Sequence, residues 1–258
     1  MLDRGWARFG FDPAVLGWAR HARHAALSRI ADPTQQAQWL QCEGTWFVGV
    51  DTLPNTPDGA LPDGMPLTGQ AYAGARQLYG QLPLHPGQVS VIYPGYPKPR
   101  KGEGPGAFKY RLNRDAAHVD GLLAIGDDRR RMLKEQHAYI LGLPLTDCSA
   151  DASPLVVWEG SQRIMREAFK SVLEPLPAAE WDSVDLTDVY QAARREVFDR
   201  CTRVTVPAKP GEAYLVHRHA LHGVAPWAAN ATAPSEGRMI AYFRPELPAG
   251  SRDWLCAP

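Results

Sequence analysis

From about residue 87 onward the chain alternates short β-rich runs with turns, and no other feature limits the fold as tightly. The runs are "QVSVIY", "AYILGLPL" (138–145), "PLVVWEG" (154–160), "RVTVPAKPGEAYLVHRH" (203–219) and "RMIAYFRP" (238–245). All but the fourth are six to eight residues of β-branched and aromatic character bounded by breakers, and the longer fourth reads as two strands around Pro210-Gly211. "TWFVGVD" (45–51) reads as another strand. "AFKYRLNRDAAHVDGLL" (107–123) also opens like one, with Phe108, Tyr110 and Leu112 on one side and Lys109, Arg111 and Asn113 on the other. Residues 94–106 carry too much proline and glycine for regular structure.

Helical patterns flank these runs. The first forty residues read as helical, because Asp12-Pro13 and Asp32-Pro33 each supply an N-cap followed by proline at the first helical position. Residues 68–80 predict a helix ending at Gly80. Residues 162–200 are mainly helical, with Val189, Ala193 and Val197 recurring on one stripe. Short strands, many turns and helices in front predict an antiparallel β-sandwich or barrel with a helical outer layer. No internal repeat and no linker is visible. Residues 1–258 therefore read as a single domain, with a helical N-terminal portion over 1–80.

Lys plus Arg and Asp plus Glu both number 28, so formal charge is zero. Broad electrostatic binding to nucleic acid or an anionic membrane is disfavoured. Cys42, Cys148, Cys201 and Cys256 are far apart in sequence, as expected of reduced thiols in a cytoplasmic protein. "MLDRGWARFG" lacks the apolar run of a signal peptide. No stretch approaches 18 apolar residues, so no transmembrane segment is expected.

The chemistry begins at "AAHVDGLL" (116–123). His118 and Asp120 lie two apart, and on extended backbone such residues point to the same side. An imidazole and a carboxylate then converge without long-range folding. A third nitrogen ligand from a distant strand would complete one face of an octahedron, a donor set that suits non-haem Fe(II). An H-x-D alone is a weak signal, and a surface histidine near an aspartate is its ordinary meaning.

Downstream stand "GEAYLVHRHALHGVAPW" and "SEGRMIAYFRP". With the H-x-D, these segments resemble the phytanoyl-CoA dioxygenase family of Fe(II)/2-oxoglutarate-dependent oxygenases. In that family an H-x-D precedes a segment of the type G-D-x-x-x-F-H-x-x-x-x-H-G, and an arginine follows on the next strand. Here Gly211-Glu212 opens the segment, His217 matches its first histidine, His222-Gly223 its second, and Arg238 the arginine. "LPLTDCSADASPLVVWEGSQ" (143–162) is similar to another family stretch, but has Trp158-Glu159 before the Gly-Ser and Gln162 where a histidine is usual. The resemblance spans about residues 85–245.

It implies a double-stranded β-helix, a cupin-like jelly roll, with N-terminal helices packing on the major sheet. It implies Fe(2+) held by His118, Asp120 and His222, with 2-oxoglutarate as co-substrate, its far carboxylate on Arg238, and O2 as oxidant. Arg244 has the same strand parity as Arg238 and is the alternative anchor. The implied activity is hydroxylation of a small molecule with release of succinate and CO2. Asp120 disfavours halogenation, which in this superfamily accompanies loss of the carboxylate ligand.

His217 is expected to serve a structural or substrate-side role, with service as third ligand its rival reading, and His219 is expected to be a partly exposed surface residue. Phe108, Tyr110, Leu112, Trp158 and Trp227 are candidate pocket walls whose ordinary role is packing. Lys98, Arg100 and Lys101 precede the metal segment and Arg129, Arg130 and Arg131 follow it. If both groups line the mouth, an anionic substrate is favoured, and 94–106 would be a lid. Otherwise they are solvated basic loops. A cupin-like metal protein that does not use 2-oxoglutarate is the rival reading of the whole, and monomer and homodimer both stay open.

Overall fold

A computed structural model describes residues 3–62 and 64–258. In chain order its elements are β1 (Trp6–Phe9), α1 (Pro13–Ile30), α2 (Pro33–Trp39), β2 (Leu40–Gln41), β3 (Trp46–Phe47), α3 (Gln70–Tyr79), β4 (Gln88–Ile92), α4 (Pro105–Asn113), β5 (Leu122–Ile125) and β6 (Arg130–Leu133). There follow β7 (Tyr139–Pro144), β8 (Leu155–Trp158), α5 (Ser161–Leu173), α6 (Thr187–Arg200), β9 (Arg203–Val206), β10 (Ala213–His217), β11 (His222–Val224), β12 (Arg238–Phe243) and α7 (Asp253–Cys256).

One sheet has the order β1-β10-β7-β12-β4-β3-β2, a second the order β11-β8-β9, and β5-β6 form a hairpin. Every pairing between these strands is antiparallel. The chain passes from the large sheet (β7) to the small one (β8, β9), back (β10), across (β11) and back again (β12). That alternation is the jelly-roll path. The segment 203–219 makes the two strands expected, but they join different sheets and form no hairpin.

Side-chain alternation along β12 sorts the two faces. Met239, Ala241 and Phe243 enter the larger core, with Val15, Trp18, Ala22 and Ala26 of α1 and Ala71 and Ala75 of α3. Trp18 meets Phe243 edge to face at 5.7 Å. The N-terminal helices thus cover the outside of the large sheet. Ile240 and Tyr242 face the other way, toward Leu155 and Val157 of the small sheet.

Local signals explain several elements. Asp12 caps α1 by accepting from Ala14 N at 2.9 Å, with Pro13 in the first turn. Asp32 and Pro33 repeat the device at α2. Three expectations are corrected. Residues 107–113 are helical (α4), opened by Pro105 in the first turn. The first forty residues also contribute a strand, since β1 pairs with β10. Of 45–51 only Trp46–Phe47 is strand; beyond it the backbone makes single bonds, Val48 N to Trp39 O and Val89 N to Gly49 O. No helix is long and apolar enough to cross a membrane among the described residues. All four cysteines are free thiols.

Candidate metal centre

The two halves of the site meet through backbone. His118 N donates to His222 O at 2.8 Å, and His222 N donates to His118 O at 3.0 Å. This single bridge lays the H-x-D segment against β11. It needs Gly223, because a Cβ there would stand 2.1 Å from Asp115 O. Val224 N donates to that same carbonyl. Gly121, just after Asp120, has φ +83 and its Cβ would stand 2.1 Å from Glu135 O, so glycine ends the H-x-D turn.

His118, Asp120 and His222 each bring one ligand atom, and these atoms all lie within 4.8 Å of one another. His118 Nε2 is 3.1 Å from Asp120 Oδ1, and His222 Nε2 is 3.7 Å from Asp120 Oδ2. Each Nδ1 lies 2.9 Å from the carbonyl two residues back, Ala116 O or Ala220 O. Those carbonyls only accept, so each Nδ1 carries a proton, and each Nε2, on the Asp120 side, is the atom that a second proton or a metal would take.

Electrostatics support the same arrangement. Burial opposes charge on Asp120, but Arg244, His222 and His118 together hold its carboxyl well below the usual range. Burial pushes His222 down to about 4, against the pull of Asp120. A carboxylate and a neutral imidazole are the states a metal requires. At His118 burial also opposes the charged form, yet hydrogen bonding and charge from Asp120 raise its pKa. A cation taking that nitrogen displaces the proton.

Neighbouring elements brace the loop. Asp115 and Ala116 both take left-handed backbone, φ 53 and 54, which costs non-glycine residues energy. Asp115 is only 4% exposed and accepts both fork nitrogens of Arg203 at 2.7 Å. Tyr190 Oη of α6 accepts from Val119 N at 3.3 Å. Ser161 Oγ, in the Gly-Ser segment, accepts from Leu221 N at 2.9 Å, while Leu221 O accepts from Trp158 N. The turn into His222 is thereby fixed on both sides. Of these braces only the Gly-Ser had a signal in the sequence.

Arg238 begins β12 and lines a cavity of about 230 Å³ with Arg8, Thr146, Cys148, Tyr214 and Ile240. It is 6% exposed, and its Nη1 has no hydrogen-bond partner among the described residues. Thr146 Oγ1 clamps its backbone neighbours, donating to Gly237 O at 2.9 Å and accepting from Met239 N at 2.8 Å. Arg244 lies at the other end of the strand, with Nη1 3.3 Å from Asp120 Oδ2. Six residues of strand put their Cα atoms roughly 20 Å apart, with both long side chains on the same face.

His217 and His219 stand outside the triad. His217 is buried 2.8 Å from Arg166 Nη2; burial, then Arg218 and Arg166, push it down to about 2, so it is neutral. His219 is fully buried, which corrects the expected surface position. Its ring packs on Trp254 at 4.3 Å and Phe169 at 5.6 Å. Trp158 packs on Phe198, as does Tyr110, and Trp227 packs against the Cys42, Ile92 and Tyr96 cluster.

The two basic segments have different neighbours. Arg100 lies over the Trp46 ring at 4.8 Å and Lys98 pairs with Glu43. Arg130, on the β5-β6 hairpin, pairs with Asp128 and Asp185.

No family model and no curated protein sequence matches the chain. Solved structures similar to it include EvdMO1, at 15% identity and TM-score 0.47, over 96% of this chain and 48% of that one. The chain thus spans about half of EvdMO1. EctD from S. alaskensis with bound Fe is similar at 18% identity and TM-score 0.46, over 99% of this chain and 80% of that one. HygX from Streptomyces hygroscopicus, with nickel, 2-oxoglutarate and hygromycin B bound, is similar at 16% identity and TM-score 0.43, over 97% and 86%.

Proposed function

We propose that the chain is an Fe(II)- and 2-oxoglutarate-dependent dioxygenase that hydroxylates a small molecule, releasing succinate and CO2. The observation that carries the reading is the meeting of His118 and Asp120 with His222, about a hundred residues later, with both Nε2 atoms turned to one carboxylate. Two imidazoles and one carboxylate fit Fe(II) better than the thiolate-rich or all-oxygen sets of other metals. His118, Asp120 and His222 would hold it. Bound there with keto acid and O2, iron supplies oxidation of a C–H bond coupled to decarboxylation of the keto acid.

The chain's own part is positioning and charge. Asp120 stays ionised and His222 neutral, so two of the three donors are ready at neutral pH. A buried guanidinium with a free nitrogen in a cavity wall is costly unless an anion joins it. Arg238 would therefore take the far carboxylate of 2-oxoglutarate, which its fork fits. The free Nη1 of Arg238, whose guanidinium otherwise meets Tyr214 and Tyr242, favours this reading over a cupin-like metal protein without a keto-acid co-substrate.

Succinate release tests it. Wild type given Fe(II), ascorbate and 2-oxoglutarate is expected to form succinate slowly alone and faster with a substrate from a small-molecule screen. His222→Ala should abolish release, and Arg238→Leu should raise the 2-oxoglutarate KM with the metal still bound. Metal-loaded wild type that forms no succinate across the screen would sink the oxygenase reading.

A further inference from the structure

We infer that Arg244 is a positioning residue for the metal-binding carboxylate: it takes Oδ2 of Asp120, so that Asp120 offers a metal one oxygen, Oδ1. This rests on the reading of His118, Asp120 and His222 as a metal site.

The geometry is a fixed chain of contacts. Val48 O accepts from Gln88 Nε2 at 2.8 Å, and Gln88 Oε1 accepts from Arg244 Nη2. Arg244 Nη1 then reaches Asp120 Oδ2 at 3.3 Å. The backbone of Arg244 is held as firmly. Its N–H donates to His85 Nε2 at 2.8 Å, and its carbonyl accepts from His137 Nδ1 at 3.0 Å. The other carboxylate oxygen, Oδ1, has His118 Nε2 at 3.1 Å, while His222 Nε2 stands farther off, 3.7 Å from Oδ2. The two oxygens of Asp120 therefore have different partners before any cation arrives.

This arrangement also favours Arg238 over Arg244 as the keto-acid anchor. Its two terminal nitrogens are committed to Asp120 and Gln88, whereas Arg238 has a free one. A cation beside a metal ligand works against metal binding by charge alone. Its benefit is orientation. Hydrogen-bond partners behind a ligand fix its rotamer, and their loss costs roughly 10–100-fold in metal affinity. Charge and orientation thus predict opposite signs on removing the guanidinium, so one measurement separates them.

The experiment titrates metal-free full-length protein with Co(II), read by calorimetry and by the visible ligand-field spectrum. Arg244→Met is expected to weaken Co(II) binding about 10–100-fold and to change the spectrum, because Asp120 is then free to turn or to offer both oxygens. Arg244→Lys, which keeps the charge and one donor, is expected to restore part of the affinity. Co(II) binding by Arg244→Met as tight as wild type or tighter, with the wild-type spectrum, overturns the inference alone. Failure of wild type itself to bind Co(II) overturns the metal-site reading and this inference with it. If Arg244→Met does not fold, Gln88→Met releases the far end of the guanidinium, and the same change in spectrum is expected in smaller measure. An unchanged spectrum there overturns the inference as well.

Discussion

The imidazoles of His118 and His222 stand 4.7 Å apart, ring centre to ring centre, on two residues whose backbones exchange both hydrogen bonds. The pair is therefore a property of the strand register and not of flexible side chains. Truncating either ring, as His118→Ala or His222→Ala, should leave the fold in place and cut divalent-metal affinity by more than the roughly 100-fold that loss of a supporting hydrogen bond costs. Equilibrium dialysis of each variant against Co(II) or Fe(II) under anaerobic conditions checks this.

Arg203 holds the strained start of the metal loop through Asp115. Arg203→Leu leaves a nearly buried carboxylate without its fork. Because Arg203 is itself 44% exposed, the loss is expected at about 1–2 kcal/mol, discounted for solvent screening. Tm should fall by roughly 2–8 °C in a chain of this size. Metal affinity should fall with it, since Asp115 and His222 share one backbone seam. A thermal melt and a Co(II) titration on the same sample read both.

Gly142 has the Tyr214 ring lying over it: a Cβ there would stand 2.1 Å from Tyr214 Cε2. Gly142→Ala must move that ring and break the 2.9 Å bond from Tyr214 Oη to Tyr242 Oη. Overpacking of this kind costs about 1–3 kcal/mol. Tyr214 also lines the Arg238 cavity, so a higher 2-oxoglutarate KM should accompany the lower Tm. Wild-type values of both would contradict the placement of the cavity.

The loop before α4 carries a pH signature. Glu103 is buried against Arg111, accepts from Arg100 N at 3.0 Å, and has a pKa below the ordinary 4.5: burial opposes the charge, and the Arg111 and Arg100 hydrogen bonds prevail. A depressed carboxylate stabilises the folded state above its unfolded pKa, and that stability is lost as pH falls through the folded pKa. Glu103→Gln should therefore lower Tm at pH 7, and the gap to wild type should close as pH is lowered below about 4.5. A gap that stays constant from pH 7 to pH 3 would show that Glu103 contributes no charge interaction.

Much of the site was legible because its signals are local. His118 and Asp120 need only extended backbone, and Gly121 and Gly223 mark the two places where chain presses on chain. The β7, β8, β10 and β12 strands were legible because two-sided burial makes them continuous apolar runs. What failed was long-range. In α4 the alternation of Phe108, Tyr110 and Leu112 with polar residues mimics a strand. The helix instead leaves Leu112 43% exposed, packs Tyr110 against a tilted Phe198 ring and buries Arg111 against Glu103. β1 is a strand only because β10 lies beside it, and His219 is buried only because Phe169 and Trp254 close over it. Arg244 could be singled out by parity, but its commitment to Asp120 depends on where a loop 124 residues earlier comes to rest.

The most direct test is an anaerobic titration of metal-free protein with Fe(II), followed by 2-oxoglutarate, watched by calorimetry and visible absorption. The account predicts one Fe(II) per chain, 2-oxoglutarate binding that tightens when the metal is present, a new visible band on addition of the keto acid, and loss of the band in His222→Ala. A protein that takes up no divalent metal, or that binds 2-oxoglutarate equally well with and without it, would contradict the account.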